Sequence, residues 1–212
     1  MEPNVKMIPE VSIREGWVWP TKDTKCWPWL NIEKDLPATI SKYSKDKTVA
    51  IQAGGNCGFY TKMYADMFDT VYTFEPDAVN FYCLVMNLGN YPSVYKQQAC
   101  LGDTHKPLGL STSKKNVGAY AVTPEVQGVI PTLMIDDLGL DKCDLIHLDI
   151  EGWEFPALRG ATNTLKNCHP VVALEWMDHG AKFGFPQDDI HQWMLDHGYS
   201  KWDDIMNERI YY

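Results

Sequence analysis

No stretch of this chain approaches the roughly 20 consecutive apolar residues that a membrane-spanning helix needs. Met1 to Glu10 contains no apolar signal core. Cysteine pairs are missing too. Cys26, Cys57, Cys83, Cys100, Cys143 and Cys168 are scattered without a CxxC, which speaks against a structural zinc site and a dense disulfide framework. There is no Asn-x-Ser/Thr sequon, no HExxH zinc motif, no internal repeat and no low-complexity tract. Together these absences lead us to expect a cytoplasmic protein with reduced thiols that serve as small apolar core residues.

Basic charge is also scarce. Nineteen Lys and Arg face 28 Asp and Glu, a formal net charge of -9 spread along 212 residues. Such a surface repels phosphate backbones, so nucleic acid is not the expected partner. Lys114 and Lys115 read as a solvated loop. Hydrophobic residues at 45% and charged residues at 22% lie in the ordinary globular range.

Four of the eight tryptophans, Trp17, Trp19, Trp27 and Trp29, fall before residue 47. Residues 1–47 therefore read as an N-terminal extension pinned by aromatic burial, and as a candidate lid over an acceptor site. Residues 48–212 read as the main domain. Strands are expected at Thr48 to Ala53, Thr70 to Phe74, Val94 to Leu101, Leu145 to Ile150 and Val171 to Trp176. Helices are expected at Phe59 to Phe68, Ala78 to Leu88, Phe155 to Leu165 and around Ile190 to Leu195. This alternation predicts an α/β fold, a doubly wound and mostly parallel sheet. Tyr199 to Asp203 and Arg209 to Tyr212 should add an antiparallel hairpin at one edge. Short extra strands or a long functional loop are expected between Leu108 and Val122.

Two patterns carry chemistry. The first is Gly54-Gly55-Asn56-Cys57-Gly58, between a strand and a helix. Glycine permits a sharp turn and close ligand approach, and the helix behind it offers free N–H groups. Glu75 ends the next strand, where a carboxylate can accept hydrogen bonds from both ribose hydroxyls. Loop and acid specify a nucleoside-containing cofactor. Asn56 stands where the dinucleotide motif G-x-G-x-x-G has its second glycine, which counts against NAD.

The second is Asp149-Ile150-Glu151-Gly152-Trp153-Glu154. Asp149 and Glu151 are two apart, so an extended chain would project both carboxylates to one side. Burying them together is costly without donors, a ligand or a cation. Asp149, Glu151 and Glu175 could supply oxygen ligands to Mg²⁺ or Ca²⁺, although carboxylates at strand ends also serve without metal, and no metal is the favoured expectation. His147 reads as a buried orienting residue. His191 and His197 read as surface or capping residues.

From Val49 to Trp176 the order of motifs resembles the FkbM-type methyltransferases. The glycine loop, Phe74-Glu75-Pro76, Thr132 to Asp137, the Asp149 to Glu154 signature, Leu158-Arg159-Gly160-Ala161, and Pro170 with Glu175 all follow in that order. Gln52 replaces an acid and His147 a lysine of the usual pattern. The resemblance implies a class I, Rossmann-like methyltransferase fold with S-adenosylmethionine as cofactor and S-adenosylhomocysteine as product. It implies cofactor contacts at Gly54, Gly55, Asn56, Gly58 and Glu75, with Asp103 at the adenine and Asp149 at the amino-acid portion. It implies O-methylation of a hydroxyl on a sugar, glycan or natural product. Glu151 is the first candidate base and His179 the reserve. Two other readings stay open here: a nicotinamide-dependent oxidoreductase on a similar sheet, and a non-catalytic binding module of the same fold.

Overall fold

The computed structural model describes residues 10–124 and 128–212. Most of the segment read as lacking a signal core, and part of the loop before Ile130, lie outside the described residues. The chain opens with a hairpin, β1 (Val11–Arg14) and β2 (Trp17–Pro20), then α1 (Cys26–Ile32) and α2 (Leu36–Ser41). The alternating part follows as β3 (Val49–Ala53), α3 (Phe59–Ala65), β4 (Thr70–Phe74), α4 (Ala78–Asn87) and β5 (Val94–Gln97). Short strands β6 (Cys100–Leu101), β7 (Gly109–Ser111), β8 (Ala121–Thr123) and β9 (Thr132–Leu133) intervene. After them come β10 (Leu145–Leu148), α5 (Glu154–Arg159), α6 (Thr162–Cys168), β11 (Val171–Glu175), α7 (Gln187–Asp196), β12 (Trp202–Ile205) and β13 (Glu208–Tyr211). No helix among the described residues is long and apolar enough to cross a membrane.

The central sheet runs β12-β13-β11-β10-β3-β4-β5. The five strands from β11 to β5 are parallel, and β13 and β12 are antiparallel. The doubly wound sheet and its hairpin are thus as the sequence led us to expect. Strand order reverses between β3 and β10, so their carboxyl ends open a crevice there. Alternation sorts the side chains of each strand into two cores. Ile51, Ile146 and Val172 face α5, α6 and α7, whereas Ala50, Leu145 and Ala173 face α2 and α3.

Two elements differ from expectation. Val94 to Leu101 is not one strand. The chain leaves the sheet after Gln97, and Cys100 and Leu101 pair in parallel with Thr132 and Leu133. The helix expected over Phe155 to Leu165 is two, divided at Gly160 and Ala161. A Cβ at Gly160 would lie 2.0 Å from the Gly102 carbonyl oxygen, so close approach of another segment sets this break. Between Leu108 and Val122 the expected short strands form a hairpin.

The N-terminal segment is built into the same cores. Leu36 and Ile40 pack with Ala50, Tyr64 and Val71. Trp19 is fully buried, and its indole N–H donates to Asp23 Oδ2 at 2.8 Å. The Asn87 side chain bonds both backbone groups of Val18, tying the hairpin to α4.

Candidate active site

The crevice at the strand ends is a cavity of about 400 Å³, within the usual span for small-molecule sites. Its floor is the glycine loop. A Cβ on Gly54 would fall 1.8 Å from the Asp149 carbonyl oxygen, and one on Gly55 would meet Leu84 and Thr73 at 2.7 Å. The neighbouring segments press directly on these two positions. Gly58 has φ +90° and caps α3 against Leu88, and it is not part of the cavity wall. Gln52 also lies behind the wall. Its amide donates to the Ala53 and Gly54 carbonyls and accepts from the hydroxyls of Thr61 and Thr73, locking the loop in place.

Glu75 faces the cavity from the end of β4. It accepts the Asn56 N–H at 2.7 Å and the Asp77 N–H at 2.8 Å. Burial pushes its carboxyl up to about 8, although those two donors favour the charged form. The buried Asn56 Oδ1, Asn80 Oδ1 and Tyr120 hydroxyl have no hydrogen-bond partner, nor does the Trp153 indole nitrogen. All four residues line the cavity. Ala99, Cys100 and Leu101 add an apolar stretch to its wall. Unsatisfied donors and acceptors beside an apolar slot and a ribose-type carboxylate fit a purine nucleoside. Asp103 is elsewhere. Its carboxylate pairs with Arg159 Nη2 at 2.5 Å and lines a smaller, separate depression that shares Trp153 with the main cavity.

The other half of the cavity is acidic. β10 ends at Leu148, so Asp149 and Glu151 are not brought together by strand alternation. A tight turn does it, with Glu151 at φ +58° and Gly152 at φ +98°. Glu154 Oε1 accepts the N–H groups of Ile150 and Gly152 and fixes that turn, and burial pushes Glu154 up to about 7. A Cβ on Gly152 would lie 2.5 Å from the His179 carbonyl, so the 3-10 segment Asp178–Phe183 rests on this glycine. That contact sets His179 Nδ1 3.3 Å from Glu151 Oε2 and 3.4 Å from Glu175 Oε2.

Asp149, Glu151, Glu175 and Glu208 line this half, and Glu33, just past the end of α1, joins them with its Oε2 accepting the Tyr60 hydroxyl at 2.7 Å. Burial first, and mutual repulsion second, raise Asp149 well above the carboxylate range and Glu175 to about 11. His147 is fully buried behind them, its Nδ1 bonded to the Tyr64 hydroxyl at 2.8 Å. Desolvation lowers it to about 4, so it is neutral. No Lys or Arg among the described residues lines the cavity. Sequence reasoning passed over Glu33 and Glu208. Glu208 enters through the pairing of β13 with β11, for which the local sequence holds no signal.

Comparison with known proteins agrees with this geometry. A family profile described as "Methyltransferase FkbM domain" matches residues 51–201. No curated protein sequence matches the chain significantly. Among solved structures, the FkbM methyltransferase of Methylobacillus flagellatus KT is 18% identical with a TM-score of 0.56, the match covering 80% of this chain and 44% of that one. The present chain therefore spans less than half of that protein. Precorrin-6y C5,15-methyltransferase of Geobacter metallireducens GS-15 is 11% identical with a TM-score of 0.50, covering 96% and 97% of the two chains. A Streptococcus mutans protein assigned as a methyltransferase, solved with S-adenosylhomocysteine, is 12% identical with a TM-score of 0.50, covering 84% and 96%. These likenesses concern the fold, and the family match carries the assignment. The chain belongs to the FkbM methyltransferase family, and its cofactor is S-adenosylmethionine.

Proposed function

We propose that this chain transfers the methyl group of S-adenosylmethionine to a hydroxyl of a sugar, glycan or natural product. The observation that carries the reading is the continuity of one cavity from the glycine loop and Glu75 to the cluster of Glu151, Glu175 and His179. Glu75 would accept the ribose hydroxyls, and the backbone at Gly54, Gly55 and Asn56 would bear on the sugar and amino-acid portion. Asp149 would orient the cofactor's ammonium. Gly58 serves by shaping the start of α3. Asp103 would reach an adenine only by leaving Arg159, so its first role is to hold that guanidinium.

The cofactor supplies an electrophilic methyl group and a good leaving group. The protein's task is therefore to align the acceptor oxygen, exclude water and take up one proton. An oxygen lone pair forms the new C–O bond as the C–S bond breaks toward sulfur, and the hydroxyl proton passes to Glu151. His179 stands 3.3 Å behind Glu151 and is the reserve acceptor. Trp29 and Leu30 of α1, with Glu33 just after it, border this end. On our reading the N-terminal segment forms the acceptor wall. The acidic lining disfavours phosphate-rich acceptors.

Two measurements test the proposal. Calorimetry above about pH 8, where Glu75 is ionised, should show S-adenosylmethionine binding that weakens roughly ten- to hundred-fold in Glu75→Gln, as charge-assisted bonds to two hydroxyls are lost. Turnover, followed as S-adenosylhomocysteine released with a panel of glycans, should fall at least roughly a hundred-fold in Glu151→Gln while cofactor binding persists. Undiminished turnover in that variant would sink the assignment of the base. Cofactor binding with no turnover on any hydroxyl acceptor would favour a binding module.

A further inference from the structure

We propose that Glu151, Glu175 and His179 form a divalent-metal site at the acceptor end of the cavity. What the ion does there rests on the methyl-transfer reading, whereas the site itself rests on geometry.

One ligand atom from each of the three residues lies within 4.8 Å of the others. His179 Nδ1 is 3.3 Å from Glu151 Oε2 and 3.4 Å from Glu175 Oε2. Those separations are long for charge-assisted hydrogen bonds, which close to about 2.7–2.9 Å. One Nδ1–H can serve both carboxylates only as a shared, three-centre donor, at the long distances seen here. The separations do suit a shared cation. With bonds of about 2.1 Å, ligand atoms 3.3–3.4 Å apart subtend roughly 105°, between the octahedral and tetrahedral angles.

Glu208 provides a second, independent observation. It is 4% exposed and lines the same cavity, and its Oε2 makes no hydrogen bond, with the equally unpaired His147 Nε2 3.4 Å away. The strand register sets it directly opposite Glu175. Two ionised carboxylates in that position would destabilise a sheet, so the pair either keeps its protons or shares a cation. No Lys or Arg among the described cavity residues supplies that charge.

Two carboxylates and one imidazole suit Mn²⁺, which takes carboxylate oxygen and accepts an imidazole nitrogen as well, better than Ca²⁺, which prefers an all-oxygen shell. Three protein ligands leave positions open. Two adjacent open positions match two neighbouring acceptor oxygens, so the substrate class is a vicinal diol. Coordination would hold the reacting hydroxyl in line and ease loss of its proton to the second oxygen of Glu151. The C–O bond then forms as the C–S bond breaks.

The test needs no substrate. MnCl₂ is titrated into the purified, chelator-treated chain, and the signal of free Mn²⁺ is followed by electron paramagnetic resonance. We expect one ion per chain, and an affinity at least roughly tenfold weaker in Glu175→Gln and in His179→Gln. The exposed Asp141→Asn is the control and should bind as the parent does. Circular dichroism confirms that each variant is folded. If a variant is unfolded, the stoichiometry of the parent chain decides. Absence of a bound ion at millimolar Mn²⁺, or equal affinity in both folded variants and the parent, overturns the site. Calorimetry with S-adenosylmethionine on the same preparations separates the two ideas. Mn²⁺ binding without cofactor binding leaves the metal site standing and removes the methyl-transfer reading; cofactor binding without Mn²⁺ binding does the reverse.

Discussion

Glu175 and Glu208 sit directly opposite one another on the antiparallel strands β11 and β13, and both line the cavity. Burial is the first cause that raises each carboxyl above its ordinary range. Both hold protons in the fold that the unfolded chain releases above its ordinary value of 4.5, so the pair costs stability as pH rises. In chelator-treated protein without cofactor, Glu208→Gln should therefore melt higher than the parent above about pH 8, by a few degrees. Differential scanning fluorimetry decides this. An unchanged or lower melting temperature would mean that the Glu208 charge is already compensated.

The pH dependence of stability follows from Glu75 and Glu154. Their ordinary value is 4.5, and in the fold they stand at about 8 and about 7. The folded chain thus holds protons that the unfolded chain releases. This stabilisation is complete below about pH 4.5 and is lost as pH rises through 7 to 8. Melting temperature should be higher at pH 5.5 than at pH 8.5, and Glu75→Gln should flatten the slope. A flat profile in the parent would refute it.

Cation binding should expel protons. Asp149 and Glu175 are raised by burial and by their neighbours, and a positive ligand favours their ionised forms. Calorimetry of S-adenosylmethionine binding near pH 7, in buffers of different ionisation enthalpy, should therefore report net proton release. Equal apparent enthalpies in all buffers would contradict it.

Two glycines with positive φ should respond differently to alanine. Gly152 and Gly139 both have positive φ, but only Gly152 has a neighbour within 4 Å of an added Cβ. Gly139→Ala should cost about 1 kcal/mol from conformation alone. Gly152→Ala must also displace the His179 backbone. It should cost clearly more and reduce turnover with it, as measured by denaturant unfolding and by assay. Equal losses at the two positions would show that the contact yields easily.

Much of the half around the glycine loop and Glu75 was legible in the sequence because its signals are local. β4 falls at Thr70–Phe74, the span its apolar run marks, and the glycine loop and Glu75 follow directly from strand ends. What was not legible depends on approach between distant segments. The break at Gly160 is set by the Gly102 carbonyl, and the end of β5 by pairing of Cys100 with Thr132. Asp103 was read as following a strand that ends earlier, at Gln97, and Arg159 takes its carboxylate instead. Asp149 and Glu151 do share a cavity, but through a turn with left-handed residues rather than an extended strand. Glu208 reaches the site because β13 lies next to β11, a neighbour that no local pattern reveals.

The division of the cavity between two stretches of chain has a kinetic consequence. β3, β4 and β5 are consecutive in the sheet, and the glycine loop and Glu75 lie among them. The acidic half needs β10, β11 and β13, joined across longer intervening segments. Closing those larger loops is entropically slower, so the half around the glycine loop and Glu75 should gain protection from amide exchange early in refolding. The carboxylate cluster, whose charges oppose one another, should assemble in the later phase. A cation present during refolding should accelerate that later phase alone.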